Sequence, residues 1–204
     1  MLGHSYALKL AALLLFLALG VCLIPPDYLR RATAQDTERG LDRLKYPGEP
    51  VSVVDLGVAG RSLGGAEHVK RAAQGMELRE IRFGAPNGWL KDFKVTLKNV
   101  SGRVITRIEP ELVIGHTNLP RRYSVIMTAE GTFPLQPDAE VTFYVDSRAC
   151  ASATEYLGRH GADAALTASF DYGTVAFDGD LTWRKGVLLR RNATDPQKWD
   201  AIKS

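Results

Sequence analysis

Cysteine is nearly absent from this chain of 204 residues, which holds two, Cys22 and Cys150. Cys22 lies inside an apolar N-terminal run, so its removal on export would leave Cys150 without an intrachain partner. A disulfide framework is therefore excluded as the source of stability. Histidine is sparse as well. Beyond the N-terminal run there are His68, His116 and His160. Zinc ligands recur at short spacings, and these three are far apart, so no metal site is expected. An excess of one charge is also missing. Lys and Arg number 26 and Asp and Glu 23. Residues 1–34 hold Lys9, Arg30, Arg31 and Asp27, which leaves 23 basic and 22 acidic residues, a balance of +1. A near-neutral domain lacks the field of a dedicated nucleic-acid binder.

Recognisable catalytic and cofactor motifs are lacking too. The glycines Gly57, Gly60, Gly64 and Gly65 have neither the lysine of a phosphate loop nor the acidic residue of a dinucleotide fold. Gly60-Arg61-Ser62-Leu63-Gly64 has the residues of a nucleophile elbow but not its strand-to-helix flanks. Asp171, Asp178 and Asp180 read as turn residues before they read as calcium ligands, which need several oxygens in one compact loop. No catalytic residue and no cofactor is expected.

The N-terminal apolar run, Leu10 to Ile24, is 15 residues long, short of the ~20 a membrane span needs. With Lys9 before it, Pro25-Pro26 after it and the small residues of Ala32-Thr33-Ala34, residues 1–34 read as a signal peptide cleaved after Ala34. Arg30 and Arg31 keep an uncleaved anchor as the alternative. Val21 is too bulky for a lipobox ahead of Cys22. The expected location is periplasmic or extracellular, with membrane contact only through residues 1–34 if they are retained.

What the chain does have is period-two alternation. Phe93, Val95 and Leu97 alternate with Lys94, Thr96 and Lys98, and a second run carries Val104, Ile108, Leu112 and Ile114. Each has one dry and one wet face. With Asn99-Val100-Ser101-Gly102 between them, they read as two antiparallel strands at the centre of the fold. Residues 35–50 read as a linker with a marginal helical turn at Leu41 and Leu44, ended by Pro47-Gly48. Val51 to Val58 reads as a first strand, Ala66 to Gln74 as a helix, and Met76 to Phe83 as a strand. Tyr123 to Ala129 and the Val141, Phe143, Val145 alternation add strands. Ser147 caps a short helix to Leu157. Strands follow around Ala168 and Phe170, then Val175 and Phe177 after a turn at Asp171-Tyr172-Gly173. Leu181 with Trp183, and Val187 with Leu189, complete them. Seven to nine strands with frequent turns indicate one antiparallel β-sandwich over 51–204 with one or two short helices.

Asn99-Val100-Ser101-Gly102, followed by Ile108 and Glu109, resembles the strand–turn–strand opening of immunoglobulin-like domains in exported bacterial proteins. Leu135-Gln136-Pro137-Asp138 resembles the Leu-x-Pro-Gly turn of such domains, with Asp138 in the glycine position. Trp183-x-x-Gly186, Arg190-Arg191 and Pro196-x-x-Trp199 resemble the C-termini of exported bacterial proteins with no assigned activity. That group reads Arg-Arg-Asp-Pro where this chain has Asn192 and Ala193 after the arginines. The resemblance covers Lys91 to Trp199. It implies an immunoglobulin-like sandwich and offers no catalytic residue.

The positions with binding character lie at the C-terminal end. Trp183, Arg184, Arg190, Arg191 and Trp199 combine large aromatic contact area with planar donors, as recognition surfaces do. The expected function is a non-enzymatic interaction or structural module of the cell envelope, docking a protein or envelope component. The alternative is a small-ligand binder or hydrolase whose site is formed by loops 57–75 and 116–122.

Overall fold

Alternating side chains become strands over most of the chain. The computed structural model describes residues 37–64, 67–73, 75–85, 88–115, 122–159 and 167–202. All of them fall within the unit 36–204. The expected signal segment 1–34, His116 and His160 lie outside the described residues. Among the described residues no helix is long and apolar enough to cross a membrane.

In chain order the strands are β1 (Thr37–Lys45), β2 (Val51–Val58), β3 (Arg61–Ser62), β4 (His68–Ala73), β5 (Met76–Ala85), β6 (Lys94–Asn99), β7 (Ile105–Ile114), β8 (Tyr123–Ile126), β9 (Thr128–Glu130) and β10 (Glu140–Tyr144). After the helix α1 (Ser147–Arg159) come β11 (Thr167–Phe177), β12 (Leu181–Arg184), β13 (Val187–Arg191) and β14 (Trp199–Ala201). A 3-10 turn, Trp89–Asp92, precedes β6. The strands form two sheets, a mainly β fold of sandwich character. One sheet runs β14-β13-β12-β11-β1-β5-β4, with β7 on β11 and β8 on β7. The other runs β3-β2-β6-β10-β9.

The larger sheet forks at β11. Residues 168–177 of β11 pair with β7 along one edge. On the other edge β1 pairs in parallel with 167–170, and β12 pairs with 175–177. Where β1 departs and β12 has yet to begin, Tyr172 turns into the interior.

The inner faces share one apolar cluster. Phe93, Val95, Leu97, Phe143 and Val145 are all buried in it, together with Leu112, Ile114, Phe170 and Val175. Ala153 and Leu157 of α1 reach the same cluster. At 20–33 cal/mol per Å² of apolar surface removed from water, this burial is the main force holding the sheets together.

Several expectations give way. Residues 35–50 are not a linker, because β1 occupies most of that stretch and pairs along its whole length with β5. Its inward positions are Arg39, Leu41 and Arg43, all buried, so two arginines hid the alternation. Ala66 to Gln74 is not a helix. Its described part holds β4, whose side chains are all exposed, so no apolar stripe could mark its period. The central pair does not form a hairpin. β6 belongs to the smaller sheet and β7 to the larger, and the stretch between them crosses the sandwich.

Asn99 explains that crossing. It is 0% exposed. Its Nδ2 donates to the carbonyls of Arg103, Leu135 and Gln136, and its Oδ1 accepts from the amide and hydroxyl of Ser101. A side chain that serves five backbone and hydroxyl groups fixes a corner, not a two-residue turn. Tyr123 to Ala129 likewise divides, changing sheets at Met127 between β8 and β9. Asp146, not Ser147, caps α1, since its Oδ1 accepts the Ala149 amide at 2.8 Å. Asp171-Tyr172-Gly173 is a bulged stretch inside β11 and not a turn.

Candidate functional site

A cleft of about 550 Å³ lies between the β1–β2 connection and the β4–β5 hairpin. Arg43 of β1 forms its floor and is 6% exposed. Its Nε donates to Glu67 Oε1 at 2.7 Å and its Nη2 to Glu67 Oε2 at 3.2 Å. Its Nη1 donates to Glu49 Oε2 at 2.9 Å and to the Tyr172 hydroxyl at 3.0 Å. Arg79 of β5 adds a donor to Glu67 at 3.1 Å and pairs with Glu77. The Tyr46 amide closes on Glu49 Oε1 at 2.6 Å.

Burial opposes ionisation of Glu67, but the hydrogen bonds and charges of Arg43 and Arg79 outweigh it and hold its carboxyl below the usual range. Burial likewise works against the Arg43 cation, and Glu67 and Glu49 overcome it. Burial drives the Tyr172 hydroxyl far above its ordinary pKa, so it remains a neutral hydrogen-bonding group. The cations and carboxylates on the floor are matched to one another. Chemically this is a staple that ties β1, the β1–β2 connection, the segment before β4, β5 and β11 into one unit. Glu67 and Gly75 bring part of the expected 57–75 loop site into its lining.

The C-terminal strands present a different surface. In an antiparallel pair, directly opposed residues share a face. Trp183 lies opposite Leu188 and Leu181 opposite Arg190, while Arg184 lies opposite Val187. Arg191 lies opposite Trp199, and Arg190 opposite Asp200. Arg184, Val187, Arg191 and Trp199 therefore share the outer face, whereas Trp183 and Arg190 belong to the inner one. Trp199 is 40% exposed, and the Arg191 guanidinium lies 5.0 Å from its ring centroid. Arg191 also pairs with Asp180 at 3.3 Å. The outer edge of β14 has no strand partner among the described residues.

Of the five residues expected to form a binding patch, the structure thus brings together Arg184, Arg191 and Trp199. Arg190 is exposed on the opposite face. Trp183 is 3% exposed and lies between the rings of Tyr46 and Tyr172, at centroid distances of 5.9 and 6.1 Å. Its Nε1 has no hydrogen-bond partner among the described residues. The loop that departs from Arg-Arg-Asp-Pro keeps a tight turn: Asn192 Oδ1 accepts the amides of Thr194 and Asp195 and the Thr194 hydroxyl, and Asn192 Nδ2 reaches Asp200.

The remaining candidates disperse. Ser62 of the exposed edge strand β3 donates to Asp55 of β2 at 2.5 Å. His68 opens β4 and is exposed. No cluster of three metal-binding side chains occurs among the described residues. The staple residues Arg43, Glu49, Glu67 and Arg79 were missed from the sequence. Their one signal was an arginine on alternate positions with Leu41, which reads as a wet face until the partner carboxylates are placed. No protein family, curated protein or solved structure matches this chain, so what it does must be argued from these surfaces.

Proposed function

We propose that the chain is an exported, non-enzymatic interaction module of the cell envelope, an immunoglobulin-like sandwich that docks a protein or envelope component on the outer face of β12–β14. One observation carries the reading: an arginine stacked on a half-exposed tryptophan, with Arg184 and Val187 on the same face, beside an open sheet edge. Arginine and tryptophan are enriched at the energetic centres of interfaces, where a flat, rigid contact meets planar donors. The N-terminal signal pattern supports the location. The matching of charges in the cleft favours a structural role for that cleft over a reactive one.

The pleat supplies the test. Arg190 adjoins Arg191 in sequence but points to the other face. Capture of an envelope component by the purified protein should fall sharply for Trp199→Ala and Arg191→Ala and persist for Arg190→Ala. Equal capture by all three variants would reject the face as the docking surface.

A further inference from the structure

The geometry points to a second docking site, on a different edge: the groove between β8 and α1 accepts an extended acidic segment of a partner protein, which adds as a strand to β8. This does not depend on the C-terminal face.

β8 pairs only with β7 among the described residues. Open edges are a liability that proteins usually blunt with very short strands, bulges, proline or lysine. The other edges are treated in those ways. β4 carries a register shift at Lys70, and β3, β9 and β14 have two or three residues each. β8 reads Tyr-Ser-Val-Ile, with no proline, no lysine and an unbroken register against β7. Its last residue, Ile126, is 78% exposed. α1 packs beside this edge without pairing to it, and an isoleucine held out there has no role in the core of its own chain.

The edge opens into a concavity of about 290 Å³ whose other wall is α1. Ala149, Ser152 and Tyr156 follow the three- and four-residue spacing of one helical face. Ala149 and Ser152 line the groove, and Tyr156 stacks on Tyr123 at 4.7 Å. The two small side chains leave room beside the strand, and the stacked rings mark its Tyr123 end. A groove between an edge strand and a helix is the arrangement in which an added strand is held by backbone bonds on one side and side-chain contacts on the other.

Charge selects the occupant. Arg148 lines the groove at the end where Asp146 binds Thr128, and Arg122 precedes Tyr123 at the other end, where Tyr156 stacks. Both are exposed and neither has a partner among the described residues. Asp146 is the one acid in the lining, and its carboxylate is already engaged by the Ala149 amide and the Thr128 hydroxyl. From residue 122 to 126 a strand advances about 13 Å. The fitting ligand is therefore an extended segment with carboxylates roughly four residues apart and an apolar side chain between them to lie against Ile126.

The probe is a fluorescein-labelled peptide of about nine residues, alternating valine and threonine, with glutamates four positions apart. Binding to the full chain is read by anisotropy, and amide exchange is followed over 123–126. The expected result is saturable binding that weakens with salt and slows exchange in β8. Arg148→Glu should reduce affinity about fivefold or more, Ile126→Asp should reduce it further, and Trp199→Ala should leave it unchanged. Absence of binding, binding without protection of 123–126, or loss of binding in Trp199→Ala would each overturn the proposal. So would sedimentation showing a dimer that Ile126→Asp dissolves, since the occupant would then be a second copy of the chain. Both substituted side chains are exposed, so the variants keep the core, and circular dichroism checks that they fold.

Discussion

Arg43→Met keeps much of the length of the side chain and removes its charge from the floor of the cleft. Glu67 then loses two hydrogen bonds and keeps the one from Arg79 at 3.1 Å. Glu49 keeps the Tyr46 amide and the Tyr172 hydroxyl, and that hydroxyl loses its Arg43 donor. Removing one member of a buried ion pair costs about 3–5 kcal/mol, because a charge is left buried without compensation. Arg79 remains beside Glu67, so the lower end applies, about 3 kcal/mol. For a domain of this size each kcal/mol lowers Tm by about 2–4 °C, which gives a fall of about 6–12 °C. Urea denaturation and calorimetry read both quantities. The triple variant Arg43→Met, Glu49→Gln, Glu67→Gln removes the stranded charges and should recover at least half of the loss.

The pH dependence carries a definite sign. The folded pKa of Glu67 is depressed, so its contribution is complete above the unfolded value, about 4.3, and is lost as pH falls through the folded value. Glu67→Gln should therefore flatten the stability profile on the acid side and nowhere else. A loss below about 1 kcal/mol in Arg43→Met, or a triple variant no better than the single one, would refute the claim that these charges are buried and coupled.

Three further outcomes follow from the geometry. Asn99→Ala should cost about 1–3 kcal/mol in urea denaturation, because a buried corner loses the amide that bridges three carbonyls, although those of Leu135 and Gln136 keep the backbone donors Ile105 and Ala139; Asn99→Asp should cost more, since it turns a carboxylate toward three carbonyls. Trp183→Phe should stay within about 1 kcal/mol of the parent, because the indole N–H it removes has no acceptor, whereas Trp183→Ala should lose about 3–5 kcal/mol to the cavity it leaves. Asp171 behaves oppositely to Glu67. Burial raises its carboxyl pKa, only partly offset by Lys185, so its ionisation costs stability as pH rises above the unfolded value of about 3.9. Asp171→Asn should be more stable than the parent at pH 7, and that gain should vanish below about pH 4.

The sequence made the sandwich legible wherever one face of a strand was wholly apolar. Val95 with Leu97, Val141 with Phe143, and Leu181 with Trp183 alternate without interruption, and each lies where the alternation places it. Legibility failed where a buried position holds a charge or an exposed strand holds no apolar stripe. Arg39 and Arg43 made β1 look like linker. β4, with every side chain outside the core, carried charged residues and alanines that also suit a helix. Sheet membership failed for a separate reason. A period of two fixes which face is dry but not which neighbour a strand pairs with, so the corner at Asn99 and the sheet change at Met127 both read as continuous local structure. The residues of the proposed patch could be picked by type but not by direction. Arg190 and Arg191 are equivalent in composition, and only the register against β14 assigns them to opposite faces.

That register ties the staple to the C-terminal surface. β12 joins the larger sheet through three paired positions on β11, Val175 to Phe177, a short attachment for three strands. The rest of the hold comes from the inner side. Trp183 lies between Tyr172, which binds Arg43, and Tyr46, whose amide binds Glu49. The Lys185-Gly186 turn, in which both residues have positive φ, brings the Gly186 backbone against Pro47; a Cβ there would lie 3.5 Å from the proline ring. The charges that look most like a reactive centre are thus one residue removed from the tryptophan that seats β12–β14. Their role, on this geometry, is to fix the connection against which that tryptophan packs, so that Arg184, Arg191 and Trp199 on the opposite face are held in one orientation. If the proposed docking face is the contact surface, rigid presentation of this kind reduces the ordering cost of association, and the ion-pair network then bears on binding although none of its members lies on that face.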